Sequence, residues 1–346
     1  MKAAVCVGPG ALEIREWPRP SPGPGELLLK VLGCGLCGSD IAKILSGNAS
    51  QPAVFGHEVV GEVVELGTGI REFEIGDRVV VAHHVPCLTC HYCRRGSPSM
   101  CRAFKTVNLD PGGFADYLRV LAPNVLHAAF RVPKELSDEA ASFTEPLACC
   151  LRAVKRARVE PGDTALVVGL GSIGVLFVQI LRRAGVRVLV SEVLPARLAL
   201  GHRLDVQAFR DPSVLAEVVS EVTQGRGVDL LLVTGGGAPV LSWASPLVRD
   251  GGAIHYFAGG EGRSLPLTLE DLYHRELTLT ATYSSSPADL GEAFDLLVRG
   301  DVEVEPFISH RLPLARLSDG VRMMVRREAV KVFITPDLGA DSVEAT

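Results

Sequence analysis

Apolar and polar positions change rhythm along this chain, and the change divides it. Up to about residue 140, short apolar runs (LLLKVL from Leu27, VVGEVVEL from Val59, RVVVAHH from Arg78) alternate with Pro/Gly turns such as PRPSPGPGE and EFEIGD. That spacing predicts a β-rich region. From about 145 to 280 the pattern becomes strand, Gly-rich turn and helix: ALVVGLGSIG, VLFVQILRRAG and VRVLVSE, then DLLLVTGGG and GGAIHYFAGG. Strands separated by helical stretches predict an α/β, doubly wound parallel sheet. From Tyr283 onward come an amphipathic helix (DLGEAFDLLVRG), a further helix (LARLSDGVRMMVRRE) and a strand (KVFITP), with DLGADSVEAT expected as a frayed tail.

Composition narrows the functional classes. With 346 residues, 47% of them hydrophobic, the chain has material for about two cores. A net charge of -5 gives no electrostatic footprint for nucleic acid or an anionic membrane. No apolar run approaches the roughly 20 residues of a membrane-spanning helix. The first residues alternate like a strand and have no long apolar core, so no signal peptide is expected, and a cytoplasmic location is. There clustered cysteines serve metals more often than disulfides.

Four of the nine cysteines, Cys87, Cys90, Cys93 and Cys101, follow C-x2-C-x2-C-x7-C. This spacing gathers four thiolates around one tetrahedral ion, which describes a closed, structural zinc site. An iron–sulfur run usually ends C-x3-C-P, whereas seven residues precede Cys101 and Arg102 follows it. A zinc ribbon for nucleic acid conflicts with the acidic chain. Cys37, His57 and Glu58 form a second constellation suited to a metal with an open position. Cys6, Cys34, Cys149 and Cys150 are expected as small buried hydrophobes.

Val167-Val168-Gly169-Leu170-Gly171-Ser172-Ile173-Gly174 runs from a strand through G-x-G-x-x-G into a helix. Its glycines allow a tight turn and close approach of backbone to a pyrophosphate. Eighteen residues after Gly174, Glu192 ends the next apolar strand, where an acid binds ribose hydroxyls and repels a 2′-phosphate. NAD is therefore expected over NADP. Arg197 is the counter-signal, because a guanidinium nearby serves a phosphate.

These motifs stand in one order that resembles the zinc-containing medium-chain dehydrogenases, most closely their sorbitol and threonine dehydrogenase branch. The likeness covers nearly the whole chain: G-H-E-x2-G-x5-G from Gly56, the four-cysteine lobe, Glu145-Pro146-Leu147-Ala148 and the glycine fingerprint. It implies a GroES-like β-rich catalytic domain (1–147), a Rossmann NAD-binding domain (148–282) and a return to the catalytic domain (283–346). It also implies a homodimer or homotetramer acting on a small alcohol or ketone. Cys37, His57 and Glu145 become ligands of a catalytic zinc, with Glu58 beside the ion and able to exchange with Glu145. Cys149 competes with Glu145, standing four residues on.

Archetypal alcohol dehydrogenases of that family carry cysteine where Glu145 stands, so the polyol and threonine type is expected. The implied reaction moves a hydride from a secondary alcohol (a polyol, a sugar alcohol or an amino-alcohol such as threonine) to NAD. Ser39 is the expected proton acceptor. The next relay member, commonly a histidine five residues after the catalytic cysteine, is replaced by Ala42. His83 or His84 is a candidate substitute, and Lys105 a candidate selector of polar substrates. Alternatives are an NADPH-linked carbonyl reductase of the same fold and a non-catalytic dinucleotide-binding protein.

Overall fold

The computed structural model describes residues 1–46, 52–258 and 265–336. They form two compact units, Met1–Ala148 with Ser285–Thr346, and Cys149–Ser284. The expected tail at 337–346 and the end of GGAIHYFAGG lie outside the described residues.

The first unit is built on a seven-stranded sheet ordered His310–Pro313, Val332–Thr335, Leu27–Gly35, Glu58–Leu66, Arg78–Val81 and Ala129–Arg131, with Tyr117–Val120 added to Leu27–Gly35. A three-stranded sheet places Lys2–Gly8 between Ala11–Glu16 and Ala53–Val54. Leu27, Leu29, Val31, Val59, Val63, Val79, Val81 and Ile334 are buried together in its core. Each such side chain contributes roughly 1.5–3 kcal/mol on leaving water. Register then decides what meets at the sheet's centre. Gly35 pairs with Glu58 on one side and Phe333 on the other. A Cβ at position 35 would collide with the Glu58 carboxylate and the Lys331 side chain, so only glycine lets these two charges lie across the strand.

This unit is less purely β than its sequence pattern predicts. Gly38–Ser46 forms a helix, as do Ala122–Ala128 and Asp138–Ser142. In Gly38–Ser46 the three-residue spacing of Ile41 and Ile44 presents one apolar face, and Ile44 is fully buried.

The second unit is a six-stranded, wholly parallel sheet ordered Gln207–Phe209, Arg187–Ser191, Thr164–Val168, Val228–Val233, Val248–Tyr256 and Thr278–Ala281. Its central strands are buried on both faces and so read as continuous apolar runs. No helix among the described residues is long and apolar enough to cross a membrane.

His255, fully buried in Val248–Tyr256, makes hydrogen bonds with the Thr280 hydroxyl at 2.8 Å and the Thr282 hydroxyl at 3.0 Å. Burial, with the charge of Arg156, pushes it down to about 4. The unfolded chain then binds the proton more readily, since free histidine titrates near 6.5. Stability from the neutral ring is complete above that value and is lost as pH falls towards 4. We expect this to remove up to about 3 kcal/mol. Denaturant melts of wild type and His255→Gln at pH 7 and pH 4.5 check it, and an equal acid loss in both proteins would rule His255 out as the source.

Candidate metal centre and nucleotide site

Cys37 sits at the mouth of helix Gly38–Ser46, and the first turn of that helix organises the site. The Asp40 carboxylate is buried and accepts hydrogen bonds from the Cys37 amide (3.3 Å), the Gly56 amide (3.3 Å) and His57 Nδ1 (3.0 Å). Burial opposes its ionisation. The adjoining His57 charge and hydrogen bond, with Lys43 and the Cys37 amide, outweigh that and hold it below the usual carboxylate range. Burial would lower His57, but Asp40 and Cys37 together outweigh it and hold the ring well above its ordinary value, with the Nδ1 proton donated to Asp40 and Nε2 left as the nitrogen that would give up its proton to a metal.

Donor atoms of Cys37, His57 and Glu58 lie within 4.8 Å of one another. Ligands at zinc distances of about 2.0–2.3 Å in a tetrahedron stand about 3.3–3.8 Å apart, so little closing is needed. Thiolate, imidazole and carboxylate are also the donors zinc prefers. The residues present therefore fit the ion. Glu145 is buried near the start of helix Thr144–Ala157 but stands outside this three-donor cluster. Cys149 is buried on the same helix. Nearby Cys34 is a different case: burial, reinforced by the charges of Asp40 and Glu58, pushes its thiol well above its ordinary value.

Two residues of this centre escaped the sequence reading. Asp40 had a weak local signal, a carboxylate three residues after Cys37. Lys331 had none. Its ammonium donates to Glu58 Oε2 in a pair at most 3% exposed, and also lies 5.3 Å from the centre of the Phe143 ring. Burial alone would lower Lys331, but the Glu58 and Cys37 charges raise it, so it stays an ammonium.

Ser39 is exposed, and its hydroxyl donates to Cys37 Sγ at 3.4 Å. The ring of His83 lies 4.5 Å from that of His57 and 3.8 Å from that of His84. Burial, with the neighbouring His57 charge, holds His83 well below its ordinary value, and its buried Nδ1 has no hydrogen-bond partner. His84 Nδ1 donates to the Val107 carbonyl at 2.6 Å, and its ring packs 5.0 Å from Phe104. Ala42 and Lys105 are exposed, on helices Gly38–Ser46 and Arg102–Thr106.

Exchanging Asp40 for alanine frees His57 to rotate and change tautomer. Zinc affinity at this centre is expected to fall about 10–100-fold, since buried partners of metal-bound histidines have effects of that size. Competition against a chromogenic chelator measures it, and unchanged affinity would deny Asp40 this role.

The second cluster brings the sulfurs of Cys87, Cys90, Cys93 and Cys101 within 4.8 Å of one another, around helix His91–Arg94. Hydrogen bonds from the Thr89 amide and hydroxyl and the Cys90 amide, with Cys101, draw Cys87 down to about 6. Burial and the neighbouring sulfurs push Cys93 up to about 12. One thiolate forms readily and the next resists, so a dication is what lets all four ionise together.

In the second unit, Gly169 takes a left-handed φ of +99°, turning the chain out of Thr164–Val168. Gly171 caps helix Ser172–Arg183, whose first turn contains Ser172, Ile173 and Gly174. Glu192 is buried, and its two oxygens accept from the Leu170 amide (2.7 Å) and the Leu194 amide (2.9 Å). It thus pins the glycine loop to the end of the adjacent strand. The Arg197 guanidinium comes within 3.4 Å of where a Cβ on Gly171 would lie.

Family models match two stretches of the chain. Residues 23–132 match the alcohol dehydrogenase GroES-like domain, and residues 172–299 match the zinc-binding dehydrogenase model. The chain is 31% identical to a sorbitol dehydrogenase of Halalkalibacterium halodurans, covering 97% of this chain and 99% of that protein. It is 30% identical to an L-galactonate-5-dehydrogenase of Escherichia coli strain K12, over 97% and 99%. Among solved structures, an alcohol dehydrogenase from Thermus sp. ATN1 superimposes with a TM-score of 0.86 at 28% identity, covering 97% of this chain and 100% of that one.

Proposed function

The chain belongs to the zinc-binding medium-chain dehydrogenase/reductase family, as a zinc-dependent dehydrogenase with a GroES-like unit and a Rossmann-like unit, and from there we propose that it oxidises secondary alcohols (polyols, sugar alcohols or amino-alcohols) with NAD. The observation carrying this reading is the donor cluster of half-buried Cys37 with buried His57 and Glu58, each member oriented by a partner the fold supplies.

Cys37 and His57 would hold the catalytic zinc, with Glu58 and Glu145 as exchangeable carboxylates. When bound, zinc supplies Lewis acidity that lowers the pKa of an alcohol, and NAD accepts the hydride. Asp40 fixes the His57 tautomer. Lys331 neutralises the Glu58 carboxylate, so Glu58 would exchange onto a bound zinc only as that pair opens. The exposed Ser39 hydroxyl, already bonded to Cys37 Sγ, takes the alcohol proton and passes it outward. Cys87, Cys90, Cys93 and Cys101 would hold a structural zinc. Gly169, Gly171, Ser172, Ile173 and Gly174 would receive the pyrophosphate, and Glu192 would exclude a 2′-phosphate.

Spectrophotometric NAD reduction by zinc-replete protein across polyols, threonine and simple secondary alcohols tests the reading. Turnover of one class, abolished by a chelator and restored by zinc, is expected. Turnover that survives complete removal of zinc would overturn it.

A second reading, NADP, is favoured by Arg197 standing beside Gly171 while both Glu192 oxygens are engaged with backbone. Arg197→Ala separates the two. Under the NAD reading its kcat/KM ratio for NAD over NADP stays within about threefold of wild type; a rise of tenfold or more assigns Arg197 to a 2′-phosphate.

We further propose a homodimer or homotetramer, because Thr278–Ala281 ends its sheet and offers an edge with the partly exposed Leu279. Light scattering counts the subunits. A cytoplasmic location suits nine cysteines of which none forms a disulfide.

A further inference from the structure

The charged side chains around the metal centre are directly paired, with one exception. Asp40 is committed to His57, and Glu58 to Lys331. Among the described residues the Lys43 ammonium forms no ion pair; its nearest aromatic contact is the Phe55 ring, 6.0 Å away at the outer limit of a cation–π attraction.

Lys43 is exposed on helix Gly38–Ser46, four residues after Ser39 and three after Asp40. Residues so spaced share one helix face. The cation thus stands one turn beyond the hydroxyl that faces Cys37. Beside it, the rings of His83 and His84, 3.8 Å apart, form a wall next to His57. His83 also leaves a buried ring nitrogen unsatisfied next to His57.

We infer that the alcohol accepted here carries an anionic group, a carboxylate or a phosphate ester, and that Lys43 is the residue that selects it. This rests on the dehydrogenase reading above and adds the substrate class. One helical turn is about 5.4 Å, which places the anion about three to five bonds from the carbinol carbon. A hydroxyl between the two would then lie along the histidine wall. A neutral polyol leaves the ammonium with water alone. A simple secondary alcohol uses neither feature.

The test is calorimetric binding to the full, zinc-loaded chain saturated with NADH, using three probes on one carbon chain: sorbitol, D-gluconate and sorbitol 6-phosphate. At least one anion is expected to bind tenfold or more tightly than sorbitol, and to weaken as salt rises. Which anion wins distinguishes carboxylate from phosphate. Lys43→Gln should weaken the favoured anion ten- to a hundredfold more than it weakens sorbitol, as for a hydrogen bond to a charged group. Lys43→Arg should restore most of the preference. Zinc content and thermal midpoint of each variant report folding separately. Sorbitol binding as tightly as both anions, or an anion preference that survives Lys43→Gln, overturns the inference. NAD turnover is measured in parallel. Its absence for all three probes counts against the parent reading, while the binding preference stands or falls by itself.

Discussion

Replacing Lys331 with methionine is expected to destabilise the first unit by about 3–5 kcal/mol, the usual result of breaking a buried ion pair from one side. The Glu58 carboxylate, 1% exposed, would be left in the sheet's centre with its counter-charge gone. Adding Glu58→Gln should recover most of the loss, because a neutral amide does not need that charge. Denaturant unfolding of wild type, both single variants and the double variant provides the cycle. If Lys331→Met costs under about 1 kcal/mol, the pair contributes no more than a surface ion pair and the expectation fails. Catalytic consequences follow from the same pair. A Glu58 released from Lys331 competes for the metal, so zinc should leave this centre more slowly in Lys331→Met than in wild type.

Cys37→Ala is expected to reduce zinc from two to one per chain and kcat/KM by at least about 10³-fold, equivalent to roughly 4 kcal/mol of transition-state stabilisation. Cys93→Ser should also leave one zinc, with a different consequence. It opens the four-cysteine cluster, so the loop from Cys87 to Cys101 should become sensitive to protease and the thermal midpoint should fall. Metal analysis alongside kinetics separates the two clusters. An equal catalytic loss with equal destabilisation in both variants would contradict the division into one chemical and one structural site.

The portions of the molecule legible in the sequence are those whose chemistry is contiguous. Cys87, Cys90, Cys93 and Cys101 fall within fifteen residues, so their spacing alone requires the sulfurs to converge. The glycine fingerprint is likewise a single turn between a strand and a helix, and parallel strands buried on both faces announce themselves as apolar runs. Cys37, His57 and Glu58 were nameable as candidate metal donors because their residue types are rare and their order resembles a known family.

Tertiary structure alone decided how those donors are held. Lys331 reaches Glu58 across 273 positions because three strands share a register that puts Gly35 between Glu58 and Phe333. No local pattern records strand order or register, since a one-residue slip leaves every apolar run intact while moving each side chain to the other face. Asp40 was hidden for a related reason: a carboxylate after a cysteine acquires meaning only when Gly38–Ser46 coils and turns it onto His57. His83 against His57, and Lys43 with no ion pair among the described residues, are likewise products of packing. The sequence by itself determined which groups were available for chemistry. Folding determined which of them are paired, which are left open and what each faces, because pairing depends on distances that only the assembled sheet and helices set.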